Sequence, residues 1–420
     1  MPVIEHLLAL EVLDSRGKPT VQCTCRLSSG TEATISVPSG ASTGTSEAME
    51  LRDGDLKRYR GNGCLKAVEN INKTIEDHLH NRSFDQSSLD KSLVELDGTD
   101  NKTRLGANAI LAVSLAFAKA TSIEAQIPLY TYFHQLNPLN LGSIPRPMIN
   151  LFSGGKHAGH QVSIQDVQIM PVNTHNLSEL FEMVYETYYT AVDMIKDQFK
   201  VRHLTADEGG LAPNFSSDEA MLDFAVRAIE AAGFRAGDEI VLTLDVAASH
   251  FFRSGNYTMS GETLSGQEMT AKIADWIDKY PIASVEDGLA EDDWHHWSKL
   301  TEVVPSSVLI LGDDLLCTNP KRIQRAIDKK AANSLLLKVN QIGTLSEAID
   351  AYNLAHEAGW KIVVSARSGE TEDHWLADLA VGLGSDYIKV GALNQSERLA
   401  KYNRLLSIAQ ETGWTLRSQR

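Results

Sequence analysis

The sequence predicts an α/β fold: a modified TIM-type (β/α)8 barrel behind a smaller N-terminal α+β domain. Three observations predict it. The first third of the chain reads as strands and then helices. The remainder alternates short apolar runs with helical stretches, about eight runs in all, which is the strand count of a β/α barrel. Most of the later runs end at a charged residue, so those charges would meet on one rim. The chain has 420 residues, enough for two such units. We place them at 1–136 and 145–420.

Residues 3–13 and 19–27 alternate as strands about a turn at Asp14-Ser15-Arg16-Gly17, and 31–37 reads as a third strand. A loop of small residues follows, Pro38-Ser39-Gly40-Ala41-Ser42-Thr43-Gly44. Helices are expected near 64–80 and 106–123, the second rich in Ala and Leu and so buried. Residues 137–147 contain three prolines and read as a linker. The barrel runs are 148–151, 167–170, 240–244, 282–285, 308–311, 335–337, 362–364 and 387–388.

The net charge of −16 argues against nucleic acid as a partner, because phosphate contacts need clustered Lys and Arg. It suits a protein that spends carboxylates on cations, or one that is simply kept soluble. Cys23, Cys25, Cys64 and Cys317 show neither zinc nor disulfide spacing, and a reducing, cytoplasmic setting is expected. No signal-peptide pattern and no membrane-length apolar run is seen, so no membrane partner is expected.

Asp245, Glu286 and Asp313 end successive runs. Three carboxylates on one rim need a cation, and a hard divalent ion such as Mg2+ takes oxygen ligands. Taken singly, each is also a good helix N-cap. Lys338 and Lys389 end later runs. A lysine beside cations has a lowered pKa and can act as a base, whereas beside carboxylates it neutralises them. Arg367-Ser368 suits a phosphate, or an ordinary strand–helix turn. Glu208, in Asp207-Glu208-Gly209-Gly210, would act as an acid if burial raised its pKa, and otherwise reads as a solvated turn. His157 lies in a glycine-rich segment, a candidate lid like Gly40-Ala41-Ser42.

These segments together resemble the enolase (phosphopyruvate hydratase) family over nearly the whole chain. The resemblance is carried by the two N-terminal stretches quoted above, by Glu50-Leu51-Arg52-Asp53-Gly54-Asp55, Asp207-Glu208-Gly209-Gly210 and Glu291-Asp292-Asp293-Trp294. Two later stretches carry it further: Leu336-Leu337-Lys338-Val339-Asn340-Gln341-Ile342-Gly343-Thr344 and Ser368-Gly369-Glu370-Thr371-Glu372-Asp373. The resemblance implies elimination of water from a substrate of the 2-phosphoglycerate type, giving phosphoenolpyruvate as in glycolysis. It implies two Mg2+ ions, the second arriving with substrate, and a homodimer or higher homo-oligomer. By position, Lys338 matches the base and Glu208 the acid. Asp245, Glu286 and Asp313 match the first metal's ligands, and Ser42 a ligand of the second. Arg367 and Ser368 match the phosphate contacts and Lys389 the carboxylate contact. His157, Gln165 and Asp166 match the remaining substrate shell.

The match has departures. Asp166 stands where the family has Glu, and Ala366 where it has His; in the family both positions border the leaving hydroxyl. Gly288 replaces a usual Pro. Gln22 and Ser407 replace a Glu and an Arg that pair across the family's dimer interface. Three functions therefore stand at the level of sequence. One is the hydro-lyase itself. The second is a paralogue with an altered leaving-group pocket, such as a carboxyphosphonoenolpyruvate synthase of phosphonate biosynthesis. The third is a non-catalytic binding protein on the same fold.

Overall fold

The computed structural model describes residues 1–40, 44–139, 141–200 and 202–418. Strand β1 (Ile4–Leu13) pairs antiparallel with β2 (Pro19–Leu27), and β2 with β3 (Glu32–Ser36). Alternation decides the faces: Ile4, Leu7 and Ala9 are buried, while Leu8 and Leu10 stand exposed. The Asp14–Gly17 turn is closed by its own first residue. One Asp14 carboxylate oxygen accepts from the Arg16 and Lys18 amides at 2.8 and 3.0 Å.

Helical segments Leu65–Glu69, Asn70–Ile75 and Glu76–Leu79 run on into one another, as expected for 64–80. Ala107–Glu124 is buried on nearly every side, as its apolar composition requires. Helices Gln86–Asp97 and Leu129–Leu136 were not anticipated. Gln86–Asp97 hides its apolar stripe by burying polar Gln86, Asp90 and Asp97 alongside Leu89 and Leu93. No single described helix is long and apolar enough to cross a membrane.

The barrel comprises β4 (Arg146–Ser153), β5 (Asp166–Pro171) and β6 (Ile240–Asp245), then β10 (Ile282–Glu286), β11 (Leu309–Gly312), β12 (Ser334–Leu337), β13 (Lys361–Ser365) and β14 (Tyr387–Gly391). It closes in the order β10-β11-β12-β13-β14-β4-β5-β6. Between β6 and β10 a three-stranded meander projects from the rim: β7 (Phe252–Arg253), β8 (Asn256–Met259) and β9 (Glu262–Leu264). Met148, Met170, Leu311, Leu336, Val363 and Tyr387 fill the barrel interior.

One strand departs from a simple (β/α)8 pattern. β5 runs antiparallel to both neighbours. The reason is the connection before it: residues 154–165 hold only the short turn Gly155–Ala158, and a parallel return needs a full crossover. The reversal brings the first residue of β5 to the rim where the other strands end. Asp166 pairs with Asp245 on one side and Ser153 on the other.

The small domain sits on this rim. Ser39 and Gly369 exchange backbone hydrogen bonds at 2.8 and 3.0 Å, and the Ser15 amide donates to the Glu370 carbonyl at 2.7 Å. Gly369 is required there, because a Cβ would lie 2.2 Å from an Asp14 oxygen and 2.3 Å from an Arg16 nitrogen.

Candidate active site

Asp245 and Glu286 are the last residues of β6 and β10, and Asp313 follows β11 directly. The structure brings all three to the mouth, each against a lysine. The Lys389 ammonium lies 2.8 Å from Asp245 and 2.6 Å from Glu286. Lys338 donates to one Asp313 oxygen, and the Gln341 amide donates to the other at 2.7 Å. Lys389 lies within β14 rather than at its end, so its side chain reaches in from the wall.

The residues present fit a divalent cation. The donor set is carboxylate oxygen throughout, the chemistry a hard ion selects. Among the described residues, Glu286 Oε1 is buried with no hydrogen-bond partner. Burial and the Asp245 charge push the Glu286 carboxyl well above the usual range, with Lys389 opposing. A buried carboxylate short of positive charge is what a metal would relieve. Among the described residues, two groups place their ligand atoms within 4.8 Å of one another, close enough to share an ion: Asp287, Asp313 and Asp314, and across the mouth His157, Asp166 and Glu208. Asp287 has a structural task besides: its two oxygens accept the Asp313 and Asp314 amides at 3.0 and 2.8 Å, fixing the turn that presents Asp313. Ser42, matched to the second metal, lies outside the described residues.

Two readings stood open for Lys338: a base, if neighbouring cations lowered its pKa, or a neutraliser of the acidic rim. Burial acts most strongly and lowers the pKa, but the nearby carboxylates together, Asp313 foremost and Glu286 with it, outweigh burial, and the net shift is upward. Lys338 is therefore an ammonium while it is bonded to Asp313.

Across the mouth a second group forms. Asp166, fully buried, accepts from Ser153 Oγ at 2.5 Å and from the Asn150 amide at 3.0 Å, and lies 3.0 Å from His157 Nδ1. The same Asn150 nitrogen reaches Glu208 at 3.2 Å. Burial lowers the proton affinity of His157, but Asp166 more than reverses this, raising its pKa to about 9. Glu208 also corrects the sequence reading. It is buried, yet its pKa falls below the usual value, because His157, Arg398, Lys389 and Lys338 outweigh burial. Burial instead raises Asp166, with His157 opposing. Gln165 joins the two groups, its amide donating to Asp245 at 3.2 Å.

Arg367 and Ser368 follow β13. The Arg367 fork faces Glu47 of the small domain, at 3.1 and 3.3 Å, and donates to Asn340 at 2.9 Å. Arg16 donates to Ser368 Oγ at 3.2 Å. The corner around Arg367 and Ser368 is thus built jointly by both domains, and the Glu47 carboxylate engages the arginine fork.

Sequence reading missed Glu47, Asn150, Ser153, Asp287 and Gln341. Only Asp287 carried a local signal, its adjacency to Glu286. The rest are polar residues whose partners lie far along the chain.

A closed barrel with buried carboxylates and two lysines at its rim is the architecture of a barrel lyase suited to a divalent cation. Comparison with known families specifies which. Residues 4–133 match the enolase N-terminal domain, and residues 142–417 match the enolase C-terminal TIM barrel domain. The chain belongs to the enolase family.

Proposed function

We propose that this protein is a Mg2+-dependent lyase that removes the proton next to a carboxylate and eliminates the group on the neighbouring carbon, with conversion of 2-phosphoglycerate to phosphoenolpyruvate as its reference reaction. One observation carries the reading. Around the eight-strand barrel, β12 stands four places from β5, so Lys338 and Asp166 rise from opposite walls. A substrate held between them meets a base on one face and proton-bearing groups on the other, the arrangement an elimination needs.

Asp245, Glu286 and Asp313 would hold the cation, whose charge would draw electrons from the substrate carboxylate and acidify the adjoining C–H. Arg367 and Ser368 bind the phosphate end. Lys338 takes the proton as the neutral amine, so its ammonium must first lose a proton to solvent, which a cation taking its place beside Asp313 would favour. On the far side, His157 and Asp166 face each other at 3.0 Å, and the raised pKa of His157, about 9, keeps the proton of the pair on the imidazole at neutral pH. The departing group draws its proton from this cluster, where His157 carries one; Glu208, with its lowered pKa, would pass that proton on rather than hold it.

A second reading has its own support. Asp166 is shorter than the family's Glu, and its oxygens are engaged by Ser153, Asn150 and His157. Ala366 leaves the neighbouring space without an imidazole. A paralogue acting on a bulkier group at the same carbon, as in phosphonate biosynthesis, would use that room.

We also infer a cytoplasmic homo-oligomer. The four cysteines are buried and unpaired. Leu8, Leu10 and Leu13 project from the small domain's sheet. Neither substituted interface residue leaves a stranded charge: the Gln22 amide donates to Ser36, and Ser407 back-bonds within its helix.

The test is to mix protein, 2-phosphoglycerate and Mg2+, and to follow the ultraviolet absorbance of the enol phosphate. Turnover that disappears in Lys338→Ala establishes the hydro-lyase. No turnover, with solvent deuterium still entering the carbon beside the carboxylate, establishes the altered leaving-group reading. Neither signal, with Mg2+ bound, removes both.

A further inference from the structure

Between segment 154–165 and the β7–β9 meander lies a cavity of about 260 Å3. Its polar lining is His160, Gln161, Ser163, His250, Thr258 and Ser260, and no carboxylate is among the lining residues. At about 30 Å3 per water, it has room for a phosphate-sized anion with part of its hydration shell.

The walls are held together from beneath. Asp218, fully buried, accepts from the Ser163 and Ile164 amides, each at 2.8 Å, and from Ser260 Oγ at 2.6 Å. The Ser260 amide donates to Ser163 Oγ at 3.1 Å. The segment bearing His157 is thereby pinned to the meander. Gln161 ties the cavity to the catalytic mouth, donating to the Ser153 carbonyl at 3.1 Å, while Ser153 Oγ holds Asp166. The charges around His250 are mainly positive. Burial and Lys156 lower its proton affinity, Asp245 opposes them, and His157 and His160 add to the lowering. Two imidazoles among hydroxyl and amide groups, with no carboxylate among the described lining residues and with mainly positive neighbours, suit an oxyanion.

We propose that this cavity is an oxyanion subsite, accepting phosphate, phosphonate or carboxylate. The anion is either an acidic arm of the substrate beyond its leaving-group end or a free ion whose binding sets the position of the His157 segment. The first case rests on the function proposed above; the second does not.

The experiment is a histidine side-chain NMR titration of the full chain without divalent metal, using inorganic phosphate and then methylenebisphosphonate. Saturable shifts of the His160 and His250 resonances are expected, with the His250 pKa rising. At least tenfold weaker binding is expected in H160Q/H250Q, whose thermal transition should match the parent's. A bisphosphonate that binds at least tenfold tighter than phosphate and moves His157 as well identifies a substrate arm; equal affinities identify a free-anion site. Shifts confined to His157, from phosphate near Arg367, overturn the proposal, as does unchanged affinity in the double variant. The readout needs no turnover, so failure of the proposed reaction leaves it intact.

Discussion

The Lys389 ammonium lies within 2.8 Å of both Asp245 and Glu286, although β14 stands four places from β10 around the barrel. A cation thus already sits between two of the carboxylates assigned to the metal. Removing one partner of a buried pair costs about 3–5 kcal/mol, because the other is left uncompensated. Lys389→Met should therefore destabilise the metal-free protein by about that amount, and Mg2+ should restore more stability to the variant than to the parent. Urea denaturation with and without Mg2+ measures both. Equal stability of variant and parent without metal would remove Lys389 from this role.

The two walls of the mouth should separate experimentally. Lys338→Ala is expected to abolish deuterium incorporation and turnover together, by roughly 10²–10⁴-fold. Glu208→Gln should slow turnover by a similar factor yet keep incorporation. Loss of incorporation in Glu208→Gln would assign proton abstraction to the wrong wall.

His157 sets a pH dependence. Its folded pKa of about 9 is raised above the ordinary imidazole value near 6.5. The stability from its pairing with Asp166 is thus fully present below about pH 6.5 and lost as pH rises through about 9. Asp166→Asn should return the imidazole titration toward or below 6.5 and flatten stability across this window. An NMR titration unchanged in the variant would show that Asp166 is not the partner.

If the leaving-group pocket has been rebuilt, restoring the family's residues should restore its substrate. Asp166→Glu with Ala366→His is expected to raise kcat/KM for 2-phosphoglycerate at least about tenfold. An efficient parent enzyme that gains nothing from the pair would make both substitutions neutral.

Gly369→Ala places a methyl against Asp14, Arg16 and the Ser39 carbonyl. Overpacking of this kind costs about 1–3 kcal/mol. Because Arg16 also holds Ser368, affinity for the phosphate end should fall with stability. Thermal melting and the substrate KM report the two effects, and an unaffected KM would detach Ser368 from the domain junction.

Much was legible in the chain alone, for physical reasons. Alternating and helical periodicities report burial, so the N-terminal sheet, the buried Ala107–Glu124 helix and the eight barrel strands were readable. Chain ends of strands in a barrel share a rim, so Asp245, Glu286, Asp313 and Lys338 could be grouped without coordinates. What periodicity cannot carry is direction: β5 reads the same whether parallel or antiparallel. Its reversal, forced by a connection too short for a crossover, is what brings Asp166 to the mouth.

Charge states lay beyond the sequence as well. Glu208 and Asp166 are both buried acids, yet one is shifted down and the other up. The difference is set by which cations face each across the mouth. Lys338 is likewise shifted up by Asp313, a neighbour from another strand. The sequence by itself determined that Asp245, Glu286, Asp313 and Lys338 reach the rim. Tertiary structure decided their partners and protonation, because at these separations electrostatics depends on distance and burial rather than on order along the chain.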